Sequence, residues 1–195
     1  MPPRAFYALA VALPLAGCGL NSIPTAEEEV NARWADVQSN YQRRADLIPN
    51  LEATVRASAG SEREILTDVV SARARATSVQ LNAEDLSDPA KVRQFQEAQG
   101  ALGNSLGRLL ANVEAYPELR SQANFSTFLS QIEGTENRIQ IAIRDYNQAV
   151  QAYNTRIRTF PDAIGAKVIY GAEPKQPFQA RAGAEVAPSV FQNGV

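Results

Sequence analysis

Apolar side chains recur along most of this chain at alternating spacings of four and three residues, the rhythm of a helix face packed against its neighbours. The first run is Val30, Trp34, Val37, Tyr41, Arg44, Ile48, Leu51 and Val55. Thr25 and Glu28 ahead of it read as a capping box, with Glu27 and Glu29 at the positive end of the helix dipole. Pro49 falls inside the run, and because the rhythm resumes at Leu51 a kink is expected rather than a stop. Gly60 breaks the pattern, and Ser61 with Glu64 forms a second capping box. A second helix carries Ile65, Val69, Ala72, Ala76 and Val79. It stays in phase with the first, which keeps one long continuous helix as an alternative.

Asn82–Asp88 reads as a loop, and Asp88-Pro89 supplies an N-cap followed by proline at the first helical position. The third helix shows Val92, Phe95, Gln99, Leu102, Leu106, Leu109, Val113 and Tyr116, and Pro117 ends it. Gly100, Gly103 and Gly107 lie off this seam, where they weaken the helix or admit a close neighbour. The fourth and longest helix carries Phe125, Leu129, Ile132, Glu136, Ile139, Ile143, Tyr146, Val150, Tyr153, Ile157 and Phe160, and Pro161 closes it. Four such segments with short connections predict an all-α fold, an antiparallel up-down four-helix bundle of long, coiled-coil-like helices. The bundle spans residues 27–160 and an irregular tail spans 161–195. Within the tail, Lys167–Tyr170 fits a short strand or extended clip, and Phe178 and Phe191 are candidates to pin it onto the bundle. Leu47 and Ala53 in helix one, and Phe128, Ile141 and Ala149 in helix four, lie off the seams. They either widen the buried face or form a second surface for a partner.

Composition narrows the chemistry more than it suggests any. The 195 residues contain no histidine, which excludes Ser-His-Asp and Cys-His catalysis, His-ligated zinc or haem, and a histidine pH switch. There is one cysteine, and no glycine-rich phosphate loop is present. A net charge of −2 with mixed signs along every segment gives no footprint for nucleic acid. No enzyme activity, cofactor or metal is expected.

The start of the chain is different in kind. After Arg4, an apolar run from Ala5 to Leu20 ends in Leu15-Ala16-Gly17-Cys18, the layout of an export signal and too short to span a membrane comfortably. LAGC resembles the lipobox of bacterial lipoproteins. That resemblance implies a signal peptide over residues 1–17, acylation of Cys18, and a spacer over 18–26 that tethers the protein to a bacterial membrane on its periplasmic or outer side. Gly19 lacks the aspartate associated with inner-membrane retention, which favours the outer membrane.

Several ordered motifs resemble the LemA family: Arg43-Arg44-Ala45-Asp46-Leu47-Ile48-Pro49-Asn50-Leu51, Glu114-Ala115-Tyr116-Pro117-Glu118-Leu119-Arg120, Thr135-Glu136-Asn137-Arg138-Ile139, and Tyr146-Asn147 with Tyr153-Asn154. Phe160-Pro161, Gly171 and Pro177-Phe178 continue the match. The resemblance implies a membrane-tethered helical bundle facing away from the cytoplasm, with no established reaction. Most members carry a transmembrane helix where this chain has LAGC, and Ala59-Gly60-Ser61-Glu62 lacks a histidine often found there.

Three seam positions are polar: Arg44, Gln99 and Glu136. They form either a ligand or ion site in the core, or a hydrogen-bonded layer that fixes register, and the opposite charges of Arg44 and Glu136 favour the layer. With helices one and four flush, Arg44 would face residue 140, about 6 Å along the axis from Glu136, within reach of a direct or bridged pair. Tyr146-Asn147 and Tyr153-Asn154, seven residues apart, repeat one helical face as core tyrosines with hydrogen-bonding neighbours or as a recognition site. Tyr116 is either an aromatic plug or part of a docking corner. The expected function is a non-catalytic envelope scaffold or interaction module, partnered by the membrane through Cys18 and by itself or another envelope protein. The rival reading is a periplasmic small-ligand or ion-binding bundle that uses the polar layer.

Overall fold

The computed structural model describes residues 21–56, 63–112 and 123–179. Helices α1 (Ser22–Arg56), α2 (Arg63–Ser78), α3 (Pro89–Asn112) and α4 (Ala123–Arg156) build an all-α fold without a strand among the described residues. A 3₁₀ turn, Glu84–Ser87, precedes α3. One-turn α5 (Asp162–Gly165) and a π-helical turn, Ala166–Tyr170, follow α4. No helix among the described residues is long and apolar enough to cross a membrane.

The four-three rhythm marks the buried face closely. Val30, Trp34, Val37, Tyr41, Ile48 and Leu51 of α1 are buried, as are Val69, Ala72 and Ala76 of α2. Val92, Phe95, Leu102, Leu106 and Leu109 of α3 are buried too. α1 continues through Pro49. Asp88 caps α3: its Oδ1 accepts from the amides of Ala90 at 2.8 Å and Lys91 at 3.3 Å. The longest helices, α1 and α4, run antiparallel, since Trp34 meets Tyr146 near one end and Arg44 meets Glu136 further along. α2 and α3 also run in opposite directions, with Asp68 beside Arg108 and Ala76 beside Gln99.

Three local expectations are corrected. α1 begins at Ser22, and Thr25 is not its cap; the Thr25 hydroxyl donates to the Asn21 carbonyl at 2.7 Å from inside the first turn. Starting early buries Ile23, and Pro24 costs nothing in a first turn whose amides lack intrahelical partners. At the other end α4 stops at Arg156, and Phe160 is not on its seam but 82% exposed. The residue before a proline is driven out of the helical region, so the chain turns away before Pro161. Lys167–Tyr170 forms neither strand nor extended clip but a helical turn, ended by Gly171 at φ 56°. Val-Ile-Tyr favours strand only where a sheet is at hand, whereas here Gly165 and Ala166 turn inward and bury. Of the two roles the sequence leaves open for Gly107, helix weakening is the one that stands, since a Cβ added there meets nothing within 4 Å. Gly107→Ala is therefore expected to raise stability by about 1 kcal/mol, read as a higher denaturant midpoint at unchanged m-value.

Among the off-seam residues, Phe128 and Ala149 are buried and Leu47 packs against the core, while Ile141 stays exposed. Most of the extra apolar surface on α4 thus widens its buried face. Cys18, Gly60, Ser61, Val113, Tyr116, Pro117 and Phe191 lie outside the described residues.

Candidate functional site

The core is two apolar clusters with a polar layer between them. One gathers Trp34, Tyr41, Phe95, Ile139 and Tyr146; the other gathers Ile48, Ala76, Leu102, Phe125 and Ile132. Arg44 lies between Tyr41 and Ile48, Gln99 between Phe95 and Leu102, and Glu136 between Ile132 and Ile139, each one step of the seam from either cluster.

The guanidinium of Arg44, only 3% exposed, connects the layer. Its Nη1 donates to Glu136 Oε1 at 3.0 Å, and its Nη2 donates to Gln99 Oε1 at 2.8 Å and to the Gln99 carbonyl at 3.0 Å. Gln99 Nε2 donates in turn to the Ala76 carbonyl at 3.1 Å. The guanidinium also sits 4.9 Å from the centre of the Tyr41 ring, within cation–π range. One layer therefore joins α1, α2, α3 and α4. Arg44 lies directly beside Glu136 rather than beside Gln140, a register one helical turn from flush ends. The pairing of Trp34 with Tyr146 has the same offset. Glu136 is half-buried, its side chain 38% exposed, so the carboxylate keeps contact with water while the arginine does not. Arg44 Nε is buried without a hydrogen-bond partner.

The second constellation holds the chain's own tail. Asn147 Nδ2 donates to the Phe178 carbonyl at 3.0 Å, and Asn147 Oδ1 accepts from the Phe178 amide at 2.8 Å. Asn154 does the same for Lys175, with Nδ2 to its carbonyl at 2.8 Å and Oδ1 from its amide at 2.9 Å. The spacing has a simple cause. Seven helical residues rise about 10.5 Å, and three extended residues span about 10 Å, so asparagines seven apart match backbone sites three apart. Between them, Tyr146 donates its hydroxyl to the Gln176 carbonyl at 3.0 Å, and the Gln176 amide donates to the Leu86 carbonyl at 2.8 Å. Lys175 is buried, with Nζ 3.0 Å from Glu27 Oε1 and 3.4 Å from the Ala83 carbonyl. Phe178 packs on Trp34, Tyr146 and Phe95, with ring centres 6.0, 5.6 and 6.3 Å away. Trp34 Nε1 anchors the same corner by donating to the Leu81 carbonyl at 3.3 Å.

Tyr146 and Tyr153 are thus core residues, and Asn147 and Asn154 recognise backbone of their own chain. Lys175 and the main chain of 175–178 were not singled out by sequence. The signal was Pro174-Lys175-Gln176-Pro177, a frame that holds the backbone extended and leaves its amides and carbonyls in need of side-chain partners.

Burial pushes the Tyr153 hydroxyl up to about 12, with Glu27 and Glu173 adding to the effect, and desolvation raises Tyr146 well above the usual phenol value. Both phenols hold their protons more tightly folded than unfolded. Their contribution is fully present below about pH 10 and is lost as pH rises through the folded values. Stability is expected to fall above pH 10 by about 1.4 kcal/mol per pH unit for each of the two. A denaturation series with a parallel tyrosinate absorbance titration checks this; two tyrosines should ionise only with unfolding.

Two open hollows of about 440 and 320 Å³ lie along the carboxyl-terminal third of α4, lined by residues such as Gln148, Gln151 and Thr155. Neither includes Arg44, Gln99 or Glu136. Among the described residues no cluster of three or more Asp, Glu, His or Cys side chains could hold a metal.

These features define a helical bundle whose interior polar groups and aromatic–asparagine face are spent on holding its own chain in place. Residues 33–191 match the LemA family. The chain belongs to that family. It is 27% identical to magnetosome protein MamQ 2 of Paramagnetospirillum magneticum, over 88% of this chain and 70% of that protein. It is 26% identical to magnetosome protein MamQ of Magnetospirillum gryphiswaldense, over 72% of this chain and 58% of that one. Identity to protein LemA of Metamycoplasma hominis is 22%, over 72% of this chain and 60% of that protein.

Proposed function

We propose that this protein is a non-catalytic, membrane-anchored cell-envelope protein whose antiparallel up-down four-helix bundle acts as a scaffold or protein-interaction module. One observation carries the reading: the chemistry-bearing side chains that converge in the interior are engaged with one another and with the tail. Family membership and the similarity to MamQ and LemA proteins fit membrane association. On this reading residues 1–17 are a signal peptide, Cys18 carries the lipid, and 18–26 is a spacer. The bundle of 27–160 and its tail then face the periplasm or the cell exterior, with the outer membrane favoured by Gly19. Several acyl chains give stable attachment where one would be marginal. The partner is a second copy or another envelope protein.

Cross-linking in intact membranes, followed by detergent extraction and affinity purification, tests the scaffold role. A discrete cross-linked species supports it, and its absence refutes it. Intact mass of the extracted protein tests the anchor: a mass that keeps residues 1–17 and a free thiol removes it. A second reading, a small-ligand or ion-binding bundle, draws on the unpartnered Arg44 Nε. It requires that replacing the polar layer by apolar residues abolish function in a protein that still folds.

A further inference from the structure

The exposed large apolar side chains of the described residues are concentrated at one place. Ile141 stands alone on α4, while Phe160 (82% exposed), Ile164 (60%), Val168 (78%), Ile169 (59%) and Tyr170 fall in one stretch of eleven residues, 160–170, beyond that helix. Ile164 and Val168, four apart on the helical turns, are exposed, while Gly165 and Ala166 between them are buried. The turn therefore presents aliphatic groups outward and backs them with small residues packed on the core. Nothing within the described fold covers them.

Their position is fixed relative to the start of α1. Ser22 Oγ donates to Asp162 Oδ2 at 2.7 Å, and Arg156 Nη1 donates to the Ser22 carbonyl at 2.9 Å. The apolar run Ala5–Leu20 thus ends two residues before a side chain hydrogen-bonded to this corner. From Cys18 to Ser22 the chain reaches at most about 14 Å. Residues 156–170 carry Arg156, Arg158 and Lys167 against the single acid Asp162, whose carboxylate is engaged by Ser22 and lies 3.8 Å from Arg156. Glu27, Glu28 and Glu173 are the nearby acids in sequence on either side, and Glu27 is paired with Lys175.

We propose that Phe160, Ile164, Val168 and Ile169 form a membrane-facing edge that dips into the headgroup–acyl boundary of the bilayer holding the N-terminal segment. The occupant is lipid, because a protein seated here would compete for the same space with the bilayer that takes up the acyl chains on Cys18, only a few residues before Ser22. Exposed aliphatic and aromatic groups beside Arg158 and Lys167 are the composition of an interfacial anchor, with the cations matched to anionic headgroups. A tether and an inserted edge together make two attachments, which fixes the orientation of the bundle as well as its distance from the membrane.

This inference rests on the proposed lipid anchor at Cys18, and the test separates the two. The membrane-extracted protein and its Val168→Trp and Gln140→Trp variants are reconstituted into phosphatidylethanolamine–phosphatidylglycerol vesicles and collected by flotation. All three should float through the acyl chains on Cys18. Against the constant background of Trp34, Val168→Trp should then show blue-shifted emission, quenched severalfold more by shallow brominated lipid than Gln140→Trp. A floated Val168→Trp protein with water-like, unquenched emission overturns the edge while leaving the anchor. Blue-shifted but unquenched emission also overturns it and assigns the face to a second copy. Failure of the extracted protein to float removes the anchor reading and this inference with it.

Discussion

Replacing Arg44 by alanine is expected to cost about 3–5 kcal/mol of stability, among the largest single effects in this protein. The change deletes a large buried side chain, takes the donor from the buried Gln99 side-chain oxygen, and removes the guanidinium that ties α1 to α3 and α4 at one level. Glu136→Gln should be much milder, about 1 kcal/mol. The half-exposed site keeps a hydrogen-bond acceptor toward Arg44, and the new carboxamide, like the carboxylate, stays in contact with water. Converting the whole layer to apolar residues, Arg44→Met with Gln99→Leu and Glu136→Leu, should return stability to within about 1 kcal/mol of the native chain or above it. Urea unfolding followed by circular dichroism gives all three values. If the triple variant is as unstable as the single one, the layer is more than a register-setting device. If it is stable yet no longer forms its membrane cross-links, the ligand-binding reading moves ahead.

Release of the tail is the second large expected effect. Asn147→Ala and Asn154→Ala each remove two hydrogen bonds to buried or half-buried main chain and should each cost about 2 kcal/mol. Phe178→Ala should cost about 2–3 kcal/mol, below the range for a fully buried phenylalanine because this ring is only partly enclosed. These costs should not add. All three changes act on one docked segment, and once it has detached the next substitution has nothing left to break. The combined variant therefore measures the docking energy of 172–178 as a whole. Trp34 is the only tryptophan and lies 6.0 Å from Phe178, so its emission reports the detachment directly. Limited proteolysis should cut near Glu173 only in the released variants. Additive losses with a protected tail would show that the asparagines act on the helix and not on the clasp.

The elements were legible because burial in a helical protein is written as a local period. Every described seam residue from Val30 to Leu51 is buried, and Asp88-Pro89 marks the start of α3 because capping uses neighbours two and three residues away. Where reading failed, a non-local partner had decided. Thr25 carries good capping chemistry, but burying Ile23 outweighed it. Lys167–Tyr170 has strand propensity, yet no strand among the described residues offers it a partner. Gly171 was a visible stop signal for a helical turn there, and propensity masked it.

The sequence by itself determined the helical class, the polar identity of the Arg44–Gln99–Glu136 positions and the absence of histidine chemistry, because these depend on residue type and local spacing alone. Only the tertiary structure decided that the layer joins four helices and that the paired Tyr-Asn motifs clasp residues 175–178. It also decided that the apolar corner of Phe160–Tyr170 stands beside the start of α1. Each of these brings together residues far apart in sequence, and the one-turn register between α1 and α4 that aligns them is set by side-chain packing over the whole length of both helices, which no local pattern encodes.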